Sequence, residues 1–149
     1  MPTLYLPEGD HISRIVKPSQ LMRDEVTQAV IGCFPDAFKL RDAEVNLSVS
    51  WLEFFSGTTR QRLQQVRDHA EMELRPNHGF ANLNVGDTNA TCQTMGHKVR
   101  IIHEPTDGNP AHSEIHRYPR DHDELFARLA SIASQNLTLC RDLPAKETK

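Results

Sequence analysis

Along Asn46-Leu-Ser-Val-Ser-Trp51 the apolar Leu47, Val49 and Trp51 fall on one parity and Ser48 and Ser50 on the other. That alternation predicts a half-buried strand. Phe80 to Gly86 repeats it, with Ala81, Leu83 and Val85 set against Asn82 and Asn84. The β-branched runs His11–Lys17 and His97–His103 predict two further strands, and His112–Tyr118 another after the turn-rich stretch 104–110. Helical spacing occurs twice. Thr58 with Gln61 matches a capping box, and Leu63, Val66, Ala70 and Leu74 follow until Pro76, which predicts a helix over about 59–74. Asp121 with Glu124 opens a second helix, about 122–134, carrying Leu125, Leu129 and Ile132. Residues 19–34 fit both periods, because Leu21, Met22, Val26 and Val30 sit near helical intervals while Thr27, Val30 and Ile31 also suit extended chain. The polar stretch Asp87 to Gly96 reads as a loop.

These elements predict one α+β domain over residues 11–135, preceded by an irregular lead-in (1–10) and followed by a weakly structured tail (136–149). The helices are too few and too unevenly placed for alternating βαβ units, so the sheet is expected to be antiparallel or mixed. The two main helices are expected on one face of it. In the hairpin formed by 97–103 and 112–118, Val99, Ile101 and Ile115 are expected to be buried together. That register places Lys98 and Arg100 beside His112, Glu114 and His116, with Arg100 opposite Glu114 and His103 pointing inward.

Composition narrows the classes. A chain of 149 residues can bury a single core. The net charge of −3, with Lys and Arg scattered, disfavours general nucleic-acid binding. The first residues lack a basic stretch followed by an apolar core, and nowhere do 18 apolar residues run together, so neither an export signal nor a membrane span is expected. Cys33, Cys92 and Cys140 form no C-x-x-C pair, which argues against a disulfide scaffold or a zinc ribbon and makes the cytoplasm the expected compartment.

The densest set of titratable residues runs from His103 to His116. On a strand, His112, Glu114 and His116 point the same way, as ligands of a metal on a sheet can. Two cations beside them would oppose a divalent ion, so a polar strand face is expected and no metal. Asp107-Gly108 and Asn109-Pro110 have turn chemistry, and such a turn would hold His103 and His112 at the rim of a shallow cleft. His103, Asp107, Asn109, His112 and His116 are accordingly the candidate binding residues.

Arg14, Ser48, Ser50 and Glu114, in that chain order, resemble the layout of ADP-ribosyltransferases of the Arg-Ser-Glu kind. The resemblance implies an NAD-using enzyme in which Arg14 holds the phosphates, the Ser-x-Ser strand shapes the nicotinamide pocket and Glu114 stabilises an oxocarbenium-like ribose; the acidic pair usual near that Glu is not evident. The segments Arg14–Ser19, Ala37–Arg41, Leu47–Glu53 and Asn109–Ser113 together resemble a group of small bacterial proteins with no assigned activity, which implies a bacterial setting and no catalytic residue. P-loop, G-x-G-x-x-G, H-E-x-x-H and G-x-S-x-G patterns are missing. The leading expectation is therefore a small cytoplasmic interaction module without a cofactor, which binds a protein partner or a small ligand within a multi-gene bacterial system. The NAD-using enzyme is the alternative, followed by a metal-dependent or acid/base hydrolase built on the His103–His116 cluster.

Overall fold

The computed structural model describes residues 2–145. Its strands are β1 (His11–Val16), β2 (Leu21–Arg23), β3 (Val30–Cys33), β4 (Leu47–Trp51), β5 (Gly79–Asn84), β6 (Arg100–His103), β7 (His112–His116) and β8 (Leu137–Leu139). The helices are α1 (Thr59–Asp68), α2 (Val85–Thr94) and α3 (Asp123–Ser134). Six strands form one sheet in the order β6-β7-β4-β1-β5-β8, every neighbouring pair antiparallel, and β2 with β3 forms a separate hairpin. The α+β, antiparallel reading is therefore what the chain adopts.

Alternation assigns the faces. Ile12 and Val16 of β1, Leu47 and Val49 of β4, Ala81 and Leu83 of β5, and Ile101 and Ile115 of the outer strands join the α3 residues Leu125, Phe126 and Leu129 in one core. On the opposite face Phe80 and Ile15 meet Leu63 and Val66 of α1, together with Leu52, Cys140 and Leu143. The two main helices, expected on one face, thus cover different ones. No helix is long and apolar enough to cross a membrane.

α1 begins on the expected capping box, the Thr58 hydroxyl accepting from the Gln61 N–H, but it ends at Asp68, short of residue 74. Its last turn tightens, Ala70 N–H donating to Arg67 O three residues back, and Leu74 reaches the core from the following loop. The expected loop 87–96 is instead mostly α2. Asn84 caps it by accepting from Asp87 N–H, and its buried face is Val85, Thr88 and Cys92. Thr88 is 1 % exposed because its hydroxyl donates to Asn84 O, which satisfies it locally. Residues 19–34 resolve as the β2–β3 hairpin, whose turn is built by Asp24 Oδ1 accepting from Val26 and Thr27 N–H. The hairpin leans on α3 at Gly32, where an added Cβ would stand 2.7 Å from Ser134 Oγ. The same hydroxyl accepts from Cys33 N–H. Within the expected tail, β8 pairs with the sheet edge and Cys140 and Leu143 are buried, while residues 146–149 of it lie outside the described residues.

In the β6–β7 hairpin Ile101 pairs with Ile115, as the hydrophobic pattern requires, and both are at most 3 % exposed. Across from Glu114, however, stands Ile102, and Arg100 pairs with His116, so the expected Arg100–Glu114 cross-strand pair does not form. Ile101→Ala is expected to cost about 2–4 kcal/mol in chemical denaturation, the range for deleting buried methylenes, and His116→Ala within about 0.5 kcal/mol of zero. Equal costs for the two would contradict this register.

Candidate functional site

Ser13, Ser50 and His112 form a row across β1, β4 and β7, paired Ser13 to Ser50 and Ser50 to His112. Directly paired residues of an antiparallel sheet project to the same side, so all three stand on the face opposite Ile12, Val49 and Ile115. Ser48 pairs with Glu114 beside them. These polar residues occupy the β1–β4–β7 part of that face, while the apolar Phe80 and Ile15 lie under α1.

Above the serine row is a cleft of about 60 Å³ whose walls include Ser13, Ser48, Ser50, Arg41, Asn109 and His112. Arg41 arrives on the loop between β3 and β4, held where its guanidinium Nη2 donates to Ile15 O at 3.2 Å. Two polar atoms of the cleft are buried without a partner: Ser13 Oγ, on a residue 2 % exposed, and Arg41 Nε. Nearly all buried polar groups find a hydrogen bond, which makes a coincidence of two such atoms around one cavity unusual. Burial, with the Arg14 charge behind it, pushes Arg41 below its ordinary pKa, and Glu44 acts in the opposite direction. The cleft therefore presents a partly desolvated cation and a hydroxyl on one wall, with space for a group of a few heavy atoms.

Arg14 points to the other face. It shares its parity with Ile12 and Val16, is 2 % exposed, and spends every N–H inside the protein. Nε donates to Ala37 O, Nη1 to Glu44 Oε2 and Ser48 O, and Nη2 to Lys39 O and Glu44 Oε1. A guanidinium has five donors, so none is left for a diphosphate. Ser48, Ser50 and Glu114 are brought together, but the cation on their side of the sheet is Arg41. Arg14 and the serines that sequence order joined to it thus have different parity in the sheet. The parity of β1 was only partly legible, since apolar residues fall on both sides of it, Ile12 and Val16 with Arg14 and Ile15 with Ser13.

The 103–116 cluster divides into three parts. His103 packs its ring edge-on to Trp51, centroids 5.1 Å apart, and its Nε2 lies 2.7 Å from Pro110 O. A carbonyl only accepts, so that nitrogen carries the proton and the ring clamps the turn. Asp107 is exposed in the turn, where Thr106 bridges to Asn109 and Gly108 takes a φ of +79°. Asn109 and His112 line the cleft. Farther along β7, Glu114 accepts from Asn46 Nδ2 at 3.1 Å and lies 3.3 Å from His112 Nε2, while His116 Nε2 contacts Glu104 Oε1. Glu104, Glu114 and His116 each offer a ligand atom within 4.8 Å of the others. The cysteines are buried and separate, and burial pushes the thiols of Cys92 and Cys140 up to about 11, which leaves them poor nucleophiles. No protein-family model, curated protein or solved structure matches this chain, so the chemistry of the cleft rests on its own residues.

Proposed function

We propose that the protein is a small cytoplasmic binding module of a bacterial system whose ligand places an anionic oxygen, a carboxylate or phosphate group, in the Ser13–Arg41 cleft. The observation that carries this reading is the pair of buried, unpartnered atoms, Ser13 Oγ and Arg41 Nε, on two residues that line one cavity. Both can donate to an oxygen anion, and a charge-assisted bond to a guanidinium is about twice as strong as a neutral one. Ser50, Asn109 and His112 supply further donors at the rim. Trp51, His103 and the 41 % exposed Phe54 form an aromatic cluster, with Trp51 and Phe54 centroids 6.1 Å apart, on the parity opposite the serine row, where a partner protein can rest.

Thermal unfolding in the presence of inorganic phosphate, acetate and NAD tests the reading. A ligand at ten times its dissociation constant stabilises the fold by about 1.4 kcal/mol, a melting shift of a few degrees. The expected result is a shift with phosphate or acetate that Ser13→Ala reduces and Arg41→Gln abolishes. No shift at millimolar concentrations, or an unchanged shift in Arg41→Gln, would remove the proposal. A response to NAD alone, at the same face, would favour the nucleotide-using alternative with Arg41 in place of Arg14.

A further inference from the structure

We propose that Glu104, Glu114 and His116 hold a divalent transition-metal ion of the zinc or manganese class, one ligand atom from each, with water completing the coordination. Each of the three is half-buried, and their ligand atoms lie within 4.8 Å of one another. In four-coordinate geometry, ligand bonds of about 2.0–2.2 Å put neighbouring donor atoms about 3.4 Å apart, so small side-chain rotations suffice to close the set. His116 and Glu114 are two residues apart on β7 and project to the same side, and Glu104 comes back from the end of β6, whose N–H donates to His112 O.

Two features beyond the cluster itself point to a cation. The positive charge expected across from Glu114 is absent, because Ile102 occupies that register position. Among the described residues, neither Glu104 nor Glu114 is in an ion pair with a lysine or an arginine; their partners are His116 and His112. Neither carboxylate is thus bonded to a cationic side chain, Arg100 standing across from His116 instead, and a divalent ion would neutralise the two. The surroundings also resemble the outer shell of a metal ligand. Asn46 Nδ2 donates to one oxygen of Glu114 and His112 approaches the other, which fixes the carboxylate while leaving each oxygen a lone pair. One imidazole with two carboxylates suits zinc, manganese or ferrous iron better than calcium, which takes oxygen ligands alone.

The site adjoins the Ser13–Arg41 cleft through His112, which lies 3.3 Å from Glu114 Oε2, but its test does not depend on an anion. Protein purified without a His-tag and stripped with a chelator is titrated with Zn2+, Mn2+ and Mg2+ by calorimetry. One equivalent of Zn2+ or Mn2+ is expected to bind, with Mg2+ at least tenfold weaker. His116→Ala and Glu104→Gln should each weaken the binding by tenfold or more, and Arg41→Gln should leave it unchanged. His97 and His122, whose rings meet at Nε2 and Nδ1 2.7 Å apart, are the competing imidazole pair. Binding that vanishes in His97→Ala and survives in His116→Ala, or the lack of stoichiometric binding by any of the three ions, overturns the assignment.

Discussion

Arg14→Met is expected to destabilise the protein by about 3–5 kcal/mol, the cost of breaking a buried ion pair by removing one partner. The Arg14–Glu44 side chains are 2 % and 11 % exposed and joined by two hydrogen bonds of 3.0 Å. Methionine would fill part of the space, but it would leave the Glu44 carboxylate and the carbonyls of Ala37, Lys39 and Ser48 without their charged donor. The carbonyls of Ala37 and Lys39 lie on the β3–β4 connection that carries Arg41 and that of Ser48 on β4, so the loss extends from one ion pair to the anchoring of that connection. Urea unfolding should show the change in midpoint at constant slope, and a loss below about 1 kcal/mol would contradict this account.

The same pair sets the acid limb of stability. Burial alone would raise the Glu44 carboxyl, but the hydrogen bonds and charge of Arg14, with the N–H groups of Arg41 and Ser48, outweigh it and hold the group at about 2 against an ordinary 4.5. A pKa lowered by folding contributes stability in full above the unfolded value and loses it as the pH falls through the folded one. The Glu44 contribution, about 3 kcal/mol, is therefore present above roughly pH 5 and is lost progressively towards pH 2. In Arg14→Met the carboxyl is no longer held down, and this part of the acid dependence should disappear with the pair.

How much of this was legible in the sequence depended on whether a residue's own polarity matched its location. β4, β5 and the β6–β7 hairpin were readable because each places Leu, Val or Ile in the core on one parity and Ser, Asn, His or Glu on the other. α1 was readable from a capping box and an apolar stripe, α3 from its apolar stripe alone, because its N-cap is His122, which makes no side-chain cap bond, and not the expected Asp121. α2 was not, since its inward face includes Thr88, a hydroxyl that counts as polar until its bond to Asn84 O is known. The β2–β3 hairpin fitted both periods because the decisive constraint, close approach of Gly32 to Ser134, comes from 102 residues away in the chain. At the site, the individual residues His112, Glu114, Ser48 and Ser50 were visible, but Ser13 and Arg41 acquire meaning only when β1 is laid beside β4. Chain order joined Arg14 to the serines, whereas strand parity separates them.

Ending the chain at Asn136 is expected to abolish cooperative folding at 25 °C, although the weak patterning of the last residues reads as a weakly structured tail. β8 closes the β5 edge, pairing Gly79 with Leu139, Phe80 with Thr138 and Ala81 with Leu137. Beyond it, Cys140 N–H donates to His78 O and Arg141 N–H to Pro76 O, which bring Cys140 and Leu143 over Leu63, Val66 and Phe80. Phe80 and Leu63, both 0 % exposed, would lose part of their cover, and β5 would gain an unpaired edge. Losing a buried leucine alone costs about 2–5 kcal/mol, and removing Leu137, Leu139 and Cys140 with it brings the sum into the range of a whole domain's stability, roughly 5–15 kcal/mol. Circular dichroism on heating should show a broad, non-sigmoidal change for the shortened chain, while Leu143→Ala in the full chain should remain cooperative and lose about 2–3 kcal/mol. A shortened chain that melts cooperatively within a few degrees of the full one would mean that α1 and Phe80 are held without the C-terminal segment, and that the second core is closed from within residues 2–136.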